Sequence, residues 1–127
     1  MSAYHILVVD DEPELRQLLV EILERRGFAV ETAASGREAL TVLAARPLDL
    51  IISDLRMPDL DGPGLYRTLA RERPELVSRL LFITGASLAE DVMLFLAETG
   101  ADVIEKPFDP QEVVRRVQRR LDAVAPA

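Results

Sequence analysis

A chain of 127 residues, 49% of them apolar, is long enough for one domain with one packed core and too apolar for a disordered tail. Its formal charge of −7 argues against a nucleic-acid partner and suits a cation site or a basic protein partner, besides serving solubility. The lack of cysteine excludes disulfides and thiolate metal sites, and with no secretory leader and no apolar run near the roughly 18 residues of a membrane span, the expectation is a cytoplasmic protein without a membrane partner.

The predicted elements alternate. Strands rich in Val, Ile and Leu are expected over His5–Asp10, Phe28–Ala33, Leu48–Ser53, Leu80–Thr84 and Asp102–Glu105. The first helix carries Leu15, Leu18, Leu19, Ile22 and Leu23 on one stripe, and Gly27 follows as a stop. A second is expected from about Arg37 to Ala45, a third from about Gly64 to Arg71, and a fourth from about Ala89 to Glu98, closed by Gly100. The last opens at "DPQE", with Asp109 as N-cap, Pro110 at N1 and Glu112 at N3. Its stripe is Val113, Val114, Val117 and Leu121.

This order is βα repeated five times, with short connections and no linker to a second domain. The expectation is one domain over residues 1–127 with no output domain. Strands 1, 3 and 4 are nearly continuous apolar runs, as central strands covered on both faces are. The second strand, with Glu31 and Thr32, suits an edge. A doubly wound parallel sheet of flavodoxin-like order 2-1-3-4-5 follows.

In such a sheet, ligands bind beyond the carboxyl ends of the strands. Strand 1 ends in Asp10 and Asp11, strand 3 in "IISD" with Asp54, strand 4 in Thr84, and strand 5 runs into Lys106 and Pro107. Three carboxylates, a hydroxyl and an ammonium thus share one edge. Crowded acids are tolerable around a hard cation, and Mg²⁺ takes one or two carboxylates together with waters and phosphate oxygens. Asp10 and Asp11 are the natural holders. Asp54, at the switch point, is the best nucleophile for a phosphoryl group. Lys106 can neutralise phosphoryl oxygens and Thr84 can donate a hydrogen bond to one. Bland readings exist for each residue alone: Asp11 and Glu14 as a helix cap and its box partner, Asp54 as a turn residue, Lys106 as a solvated charge. Their coincidence at the matching ends of four strands favours a site.

The ordered set "VVDDE", "DLRMPDLDG" from Asp54 to Gly62, "ITG" around Thr84 and "KPF" from Lys106 to Phe108 resembles the receiver domain of two-component response regulators, over essentially the whole chain. The resemblance implies that Asp10 and Asp11 hold Mg²⁺, with Asp54 and the backbone carbonyl of Arg56 as further metal ligands. It implies that Asp54 is the phosphoacceptor and that Thr84 and Lys106 contact the phosphoryl group. A cis bond before Pro107 is expected, and X-Pro is where such a bond is least unfavourable. Receivers take the phosphoryl group from a partner's phosphohistidine. The only histidine here is His5, in the first strand, so the donor is a histidine kinase or a histidine phosphotransfer protein. Phosphorylation in the family draws the threonine inward and shifts the face made by helix 4, strand 5 and helix 5, a population shift passed to a downstream protein target. Receivers catalyse only their own phosphorylation and dephosphorylation, and Arg56 and Ala86 occupy positions that the family uses to set phosphoryl lifetime.

One departure stands out. Many receivers carry an aromatic residue three before the lysine, and here that residue is Val103. Ring burial therefore cannot be the signal. "LAETGADVIEKPF" resembles receivers attached to hybrid histidine kinases more than those of transcription factors, which implies either a stand-alone receiver or one derived from a hybrid kinase. In helix 4, Val92, Phe95 and Leu96 suit the sheet, which leaves Met93 and Leu94 outward as a partner surface or a phosphorylation-dependent dimer contact. The resemblance to receivers implies that helix 1 is the docking surface for the donor. Arg115, Arg116, Arg119 and Arg120 read first as a solvated face of helix 5 and second as a contact for an acidic partner.

Two other functions compete: a degenerate receiver serving as a phosphorylation-independent binding module, and a phosphatase similar to haloacid dehalogenases. The latter family wants a second acid two residues after its nucleophile, where Asp54 is followed by Arg56. A flavin module would want a Ser/Thr/Gly-rich phosphate loop where "DDEPEL" stands.

Overall fold

The computed structural model describes residues 3–85 and 90–124. Five parallel strands, β1 (His5–Val9), β2 (Ala29–Ala33), β3 (Leu50–Asp54), β4 (Leu80–Thr84) and β5 (Asp102–Glu105), pair in the order β2-β1-β3-β4-β5. Period-two alternation sends successive side chains to opposite faces. Leu7, Val9, Ile51 and Phe82 pack on one face, and Ile6, Val8, Leu50, Ile52, Leu81 and Ile83 on the other. All ten are at most 1% exposed, which is why β1, β3 and β4 read as unbroken apolar runs.

Helices cover both faces. α1 (Pro13–Glu24) and α5 (Pro110–Ala123) bring Leu19, Leu23, Val113 and Val117 to one face; α2 (Gly36–Ala45), α3 (Gly62–Glu72) and α4 (Glu90–Thr99) bring Ala39, Leu43, Leu65, Leu69, Val92 and Phe95 to the other. The starts of these helices follow local chemistry. Ser35, Asp61 and Asp109 accept hydrogen bonds from the N–H groups of Glu38, Gly64 and Gln111, each satisfying a donor that lacks a helical partner. Gly27 closes the α1 end with φ +87°, and Gly100 follows α4 with φ +66°, a region open to glycine at little cost.

Several expectations change. β1 stops at Val9, so Asp10 lies just beyond the strand, whereas Asp54 is the last residue of β3. α3 begins at Gly62, two residues early, because Asp61 caps it and Pro63 suits the first turn. A 3-10 helix over Pro74–Arg79 was hidden by its shortness. Leu18 is 44% exposed and leaves the α1 stripe. The cap of α1 is Glu12, with no side-chain cap bond, so the Asp11–Glu14 box does not form. The predicted starts of helix 4 at Ala89 and of the lifetime position at Ala86 lie outside the described residues. No helix among the described residues is long and apolar enough to cross a membrane.

Candidate functional site

The carboxyl ends of β1, β3 and β4 meet at one edge of the sheet. Asp10 is 1% exposed, Asp54 6% and Thr84 2%. The main chain at Asp10 is tied by its N–H to the Ala33 carbonyl at 3.1 Å, while its own carbonyl accepts from Arg16 Nη1 at 2.7 Å. Its Oδ1 accepts from the Glu12 N–H at 2.8 Å, and its Oδ2 is buried with no hydrogen-bond partner among the described residues. A buried carboxylate oxygen left unpartnered is unfavourable and calls for an explanation.

Asp54 is held between unlike neighbours. Its Oδ1 accepts from the Arg56 N–H at 3.1 Å, and its Oδ2 lies 3.6 Å from Lys106 Nζ. Lys106 is brought there by β5: its N–H donates to the Thr84 carbonyl at 2.7 Å, and the Lys106–Pro107 bond is cis, as expected. One carboxylate oxygen each from Asp10, Glu12 and Asp54 lie within 4.8 Å of one another. Burial is the largest influence on Asp10 and pushes its pKa from 3.8 up to about 6; the Glu12 N–H works against this, Asp54 and Glu12 add to it, and Lys106 opposes it.

Glu12, not Asp11, therefore completes the acidic trio, and Asp11 is exposed. The reason is local. Glu12 is extended, at φ −90° and ψ 111°, and extended backbone puts alternate residues on the same side. The Glu12 N–H folded onto Asp10 fixes that choice. Three adjacent acids gave no such ranking, and no residue pattern announced Arg16, six positions on. Three clustered carboxylates with an orphaned buried oxygen fit a hard divalent cation, whose ligands are oxygens. Arg56 is exposed at the head of the loop that follows β3.

A family model described as the response regulator receiver domain matches residues 6–118. The chain belongs to that family. It is 37% identical over 116 residues to "Response regulator GtcR" of Aneurinibacillus migulanus, covering 91% of this chain and 47% of that one. To "DNA-binding response regulator MtrA" of Mycolicibacterium smegmatis it is 35% identical over 116 residues, covering 91% and 50%. The chain thus spans about half the length of these curated relatives. Among solved structures, the signal receiver domain of a signal transduction histidine kinase from Syntrophus aciditrophicus superposes with a TM-score of 0.85 at 35% identity, covering 98% of this chain and 95% of that one.

As a receiver, the chain is a signalling domain. Its Val103 is half-buried against the core cluster of Phe82 and Phe95, beside Phe82 in the β4–β5 register. Met93 and Leu94 are 57% and 56% exposed on α4, while Val92 and Phe95 are buried, as the helical pattern predicted. The solvated arginine face of α5 is half corrected: Arg116 and Arg120 fold onto Asp102 of β5, and only Arg115 and Arg119 are exposed.

Proposed function

We propose that this receiver is a phosphoacceptor switch in which Asp54 takes a phosphoryl group from a phosphohistidine on a histidine kinase or histidine phosphotransfer protein. The observation that carries this reading is the position of Asp54, buried, within 4.8 Å of a carboxylate oxygen of each of two acids and 3.6 Å from Lys106 Nζ. An Asp54 carboxylate oxygen bonds to phosphorus as the P–N bond to the donor imidazole breaks, and the imidazole keeps the electron pair. Lys106 balances the charge on the phosphoryl oxygens, and the Thr84 hydroxyl donates to one of them. Mg²⁺ is the metal we assign, held by Asp10, Asp54 and the Arg56 carbonyl, with Asp11 or Glu12 as the further acid; when bound, it supplies positive charge to the acids and to the transferring group.

The switch would act on the face of α4, β5 and α5, with Val103 changing little in area compared with a ring. Met93 and Leu94 on that face are our candidates for a phosphorylation-dependent partner or dimer contact. Light scattering before and after phosphorylation checks the dimer, and a monomer in both states removes it. The histidine-kinase receiver among the similar structures supports attachment to a kinase, and the DNA-binding relative supports a regulator.

Intact-protein mass after incubation with acetyl phosphate and Mg²⁺, beside Asp54→Asn, tests the acceptor. One phosphoryl adduct, absent without Mg²⁺ and absent in the variant, is the expected result. An adduct that persists in Asp54→Asn would reassign the acceptor. No adduct, even with a phosphohistidine donor, would favour the binding-module reading.

A further inference from the structure

The loop from Leu55 to Asp61 carries Arg56, and it leans on a helix that has no residue in the site. Gly36 is the first residue of α2 and is buried. A Cβ added there would lie 2.4 Å from the Leu60 carbonyl oxygen and 2.9 Å from the Leu60 Cβ. The first of these atoms is backbone and cannot rotate away. On the other side, a Cβ at Gly64 would meet Leu60 Cδ1 at 2.7 Å. Leu60 is therefore seated between two helix starts that come this close only because both residues are glycine.

A second contact lies one residue earlier. Asp59 Oδ2 accepts from Arg37 Nε at 2.6 Å, while Asp59 holds φ +70°, uncommon for a residue with a side chain. The two ends of the loop are also fixed: Leu55 N–H donates to the Ile83 carbonyl at 3.0 Å, and Gly62 N–H donates to the Leu55 carbonyl at 3.1 Å. Between those anchors, the loop's remaining freedom is limited by the first turn of α2.

We propose that the first turn of α2 is the abutment that sets cation affinity, with Gly36 as a positioning residue and the Arg37–Asp59 pair as its weaker companion. Both act by holding the loop so that the Arg56 carbonyl is presented toward Asp54. The inference rests on the metal reading above. It adds that α2, which contributes no carboxylate to the cluster, controls how well the cluster binds. A methyl group at position 36 must push Leu60 and the loop outward, and a displacement of a few tenths of an ångström is enough to weaken a ligand set that demands near-ideal geometry.

The test is calorimetric titration of the unphosphorylated protein with MgCl₂, comparing the parent, Gly36→Ala, Arg37→Ala and Leu43→Ala. Leu43 is a buried residue of the same helix, and its truncation loosens core packing without adding an atom against Leu60. The expected result is a Mg²⁺ dissociation constant about tenfold higher in Gly36→Ala, about twofold to threefold higher in Arg37→Ala, and unchanged in Leu43→Ala. If Gly36→Ala folds and binds Mg²⁺ as the parent does, the inference is overturned. Should Gly36→Ala fail to fold, Arg37→Ala decides, and parent-like affinity there overturns it. If Leu43→Ala loses affinity as much as Gly36→Ala, the effect is general destabilisation and positioning is again overturned. A parent that takes up no Mg²⁺ at all defeats the metal reading itself, an outcome separable from these.

Discussion

Two partly or wholly buried aspartates sit at opposite edges of the sheet and are treated in opposite ways. Asp10, beyond the end of β1, has one carboxylate oxygen without a partner among the described residues and shares its surroundings with Asp54 and Glu12. Asp102, at the start of β5, accepts from Arg116 at Oδ1 and from Arg120 at Oδ2, the latter at 3.1 Å. Arg116 also donates to the Val103 carbonyl at 2.9 Å. Burial pushes Asp102 upward, yet the hydrogen bonds from both guanidiniums outweigh it and hold its pKa below the usual range. Burial dominates at Asp10, whose pKa rises to about 6. The comparison separates a carboxylate that completes the fold from one that the fold leaves incomplete. Incompleteness of that kind is what the cation proposed above would relieve.

The largest expected effect is at the satisfied acid. Asp102→Ala takes the carboxylate from two guanidiniums, each with a buried Nε already unpartnered among the described residues, and leaves Arg116 only the Glu112 carboxylate at 3.8 Å. Removing one partner of a buried pair typically costs 3–5 kcal/mol, and partial exposure reduces this to about 2–3 kcal/mol here. Urea unfolding checks it, and a loss below about 0.5 kcal/mol would show that the clamp contributes nothing. Asp10→Asn should do the reverse. Without metal, it removes a charge from a crowded, dry site and should stabilise the protein by about 1–2 kcal/mol. A destabilised Asn variant in metal-free buffer would contradict the idea that the acids are in conflict.

Acidity sharpens the same contrast. The folded-state pKa of Asp10 lies above its ordinary value of 3.8. Between about pH 4 and 6 the native state keeps a proton that the unfolded state has released. Stability of the metal-free protein should therefore fall as pH rises through that window, by on the order of 2–3 kcal/mol from this group. For Asp102 the folded-state value is depressed. Its contribution is present above the ordinary carboxylate range and is lost as pH falls below it, through the lowered value. Asp10→Asn should flatten the first slope and leave the second. An unchanged slope between pH 4 and 6 in that variant would assign it to other groups.

Much of this was readable beforehand, and the exceptions have physical causes. Strand order came from apolar continuity in β1, β3 and β4 against the polar positions of β2, because covering on both faces leaves no polar position free. Asp10, Asp54, Thr84 and Lys106 were legible because strand ends share one edge in a parallel sheet. Glu12 was not, since which neighbour turns inward depends on one backbone hydrogen bond at the start of α1. The pairing of Arg116 and Arg120 with Asp102 spans 14 and 18 residues of sequence. A charge on a helix face looks the same in sequence whether it meets water or a strand-end carboxylate.

Mg²⁺ should convert the conflict at Asp10 into stability. At ten times the dissociation constant, mass action gives about 1.4 kcal/mol, a few degrees in Tm for a domain of this size. Asp10→Asn should abolish most of that response. Asp11→Asn discriminates between two ligand sets: a lost response means that Asp11 turns in when the cation arrives, and a retained one leaves Glu12 as the third acid. A parent whose Tm is unmoved by millimolar Mg²⁺ would remove the metal from both.

The smallest effect on stability is expected from a third kind of acid. Asp59 pairs with Arg37 in the open, with side chains 57% and 70% exposed. Such pairs contribute roughly 0–1 kcal/mol and weaken with salt. Arg37→Ala should therefore move the urea midpoint almost imperceptibly, and not at all in 1 M NaCl. The same variant is expected to weaken Mg²⁺ binding, because Asp59 stands three residues from Arg56 in a loop held at few points. A pair that is negligible for folding yet measurable at the site would mean that ligand geometry responds to displacements too small to register in the stability of the fold. If the two effects instead rise and fall together across Arg37→Ala, Gly36→Ala and Leu43→Ala, cation affinity here simply follows global stability, and the contrast between completed and incomplete acids loses its functional meaning.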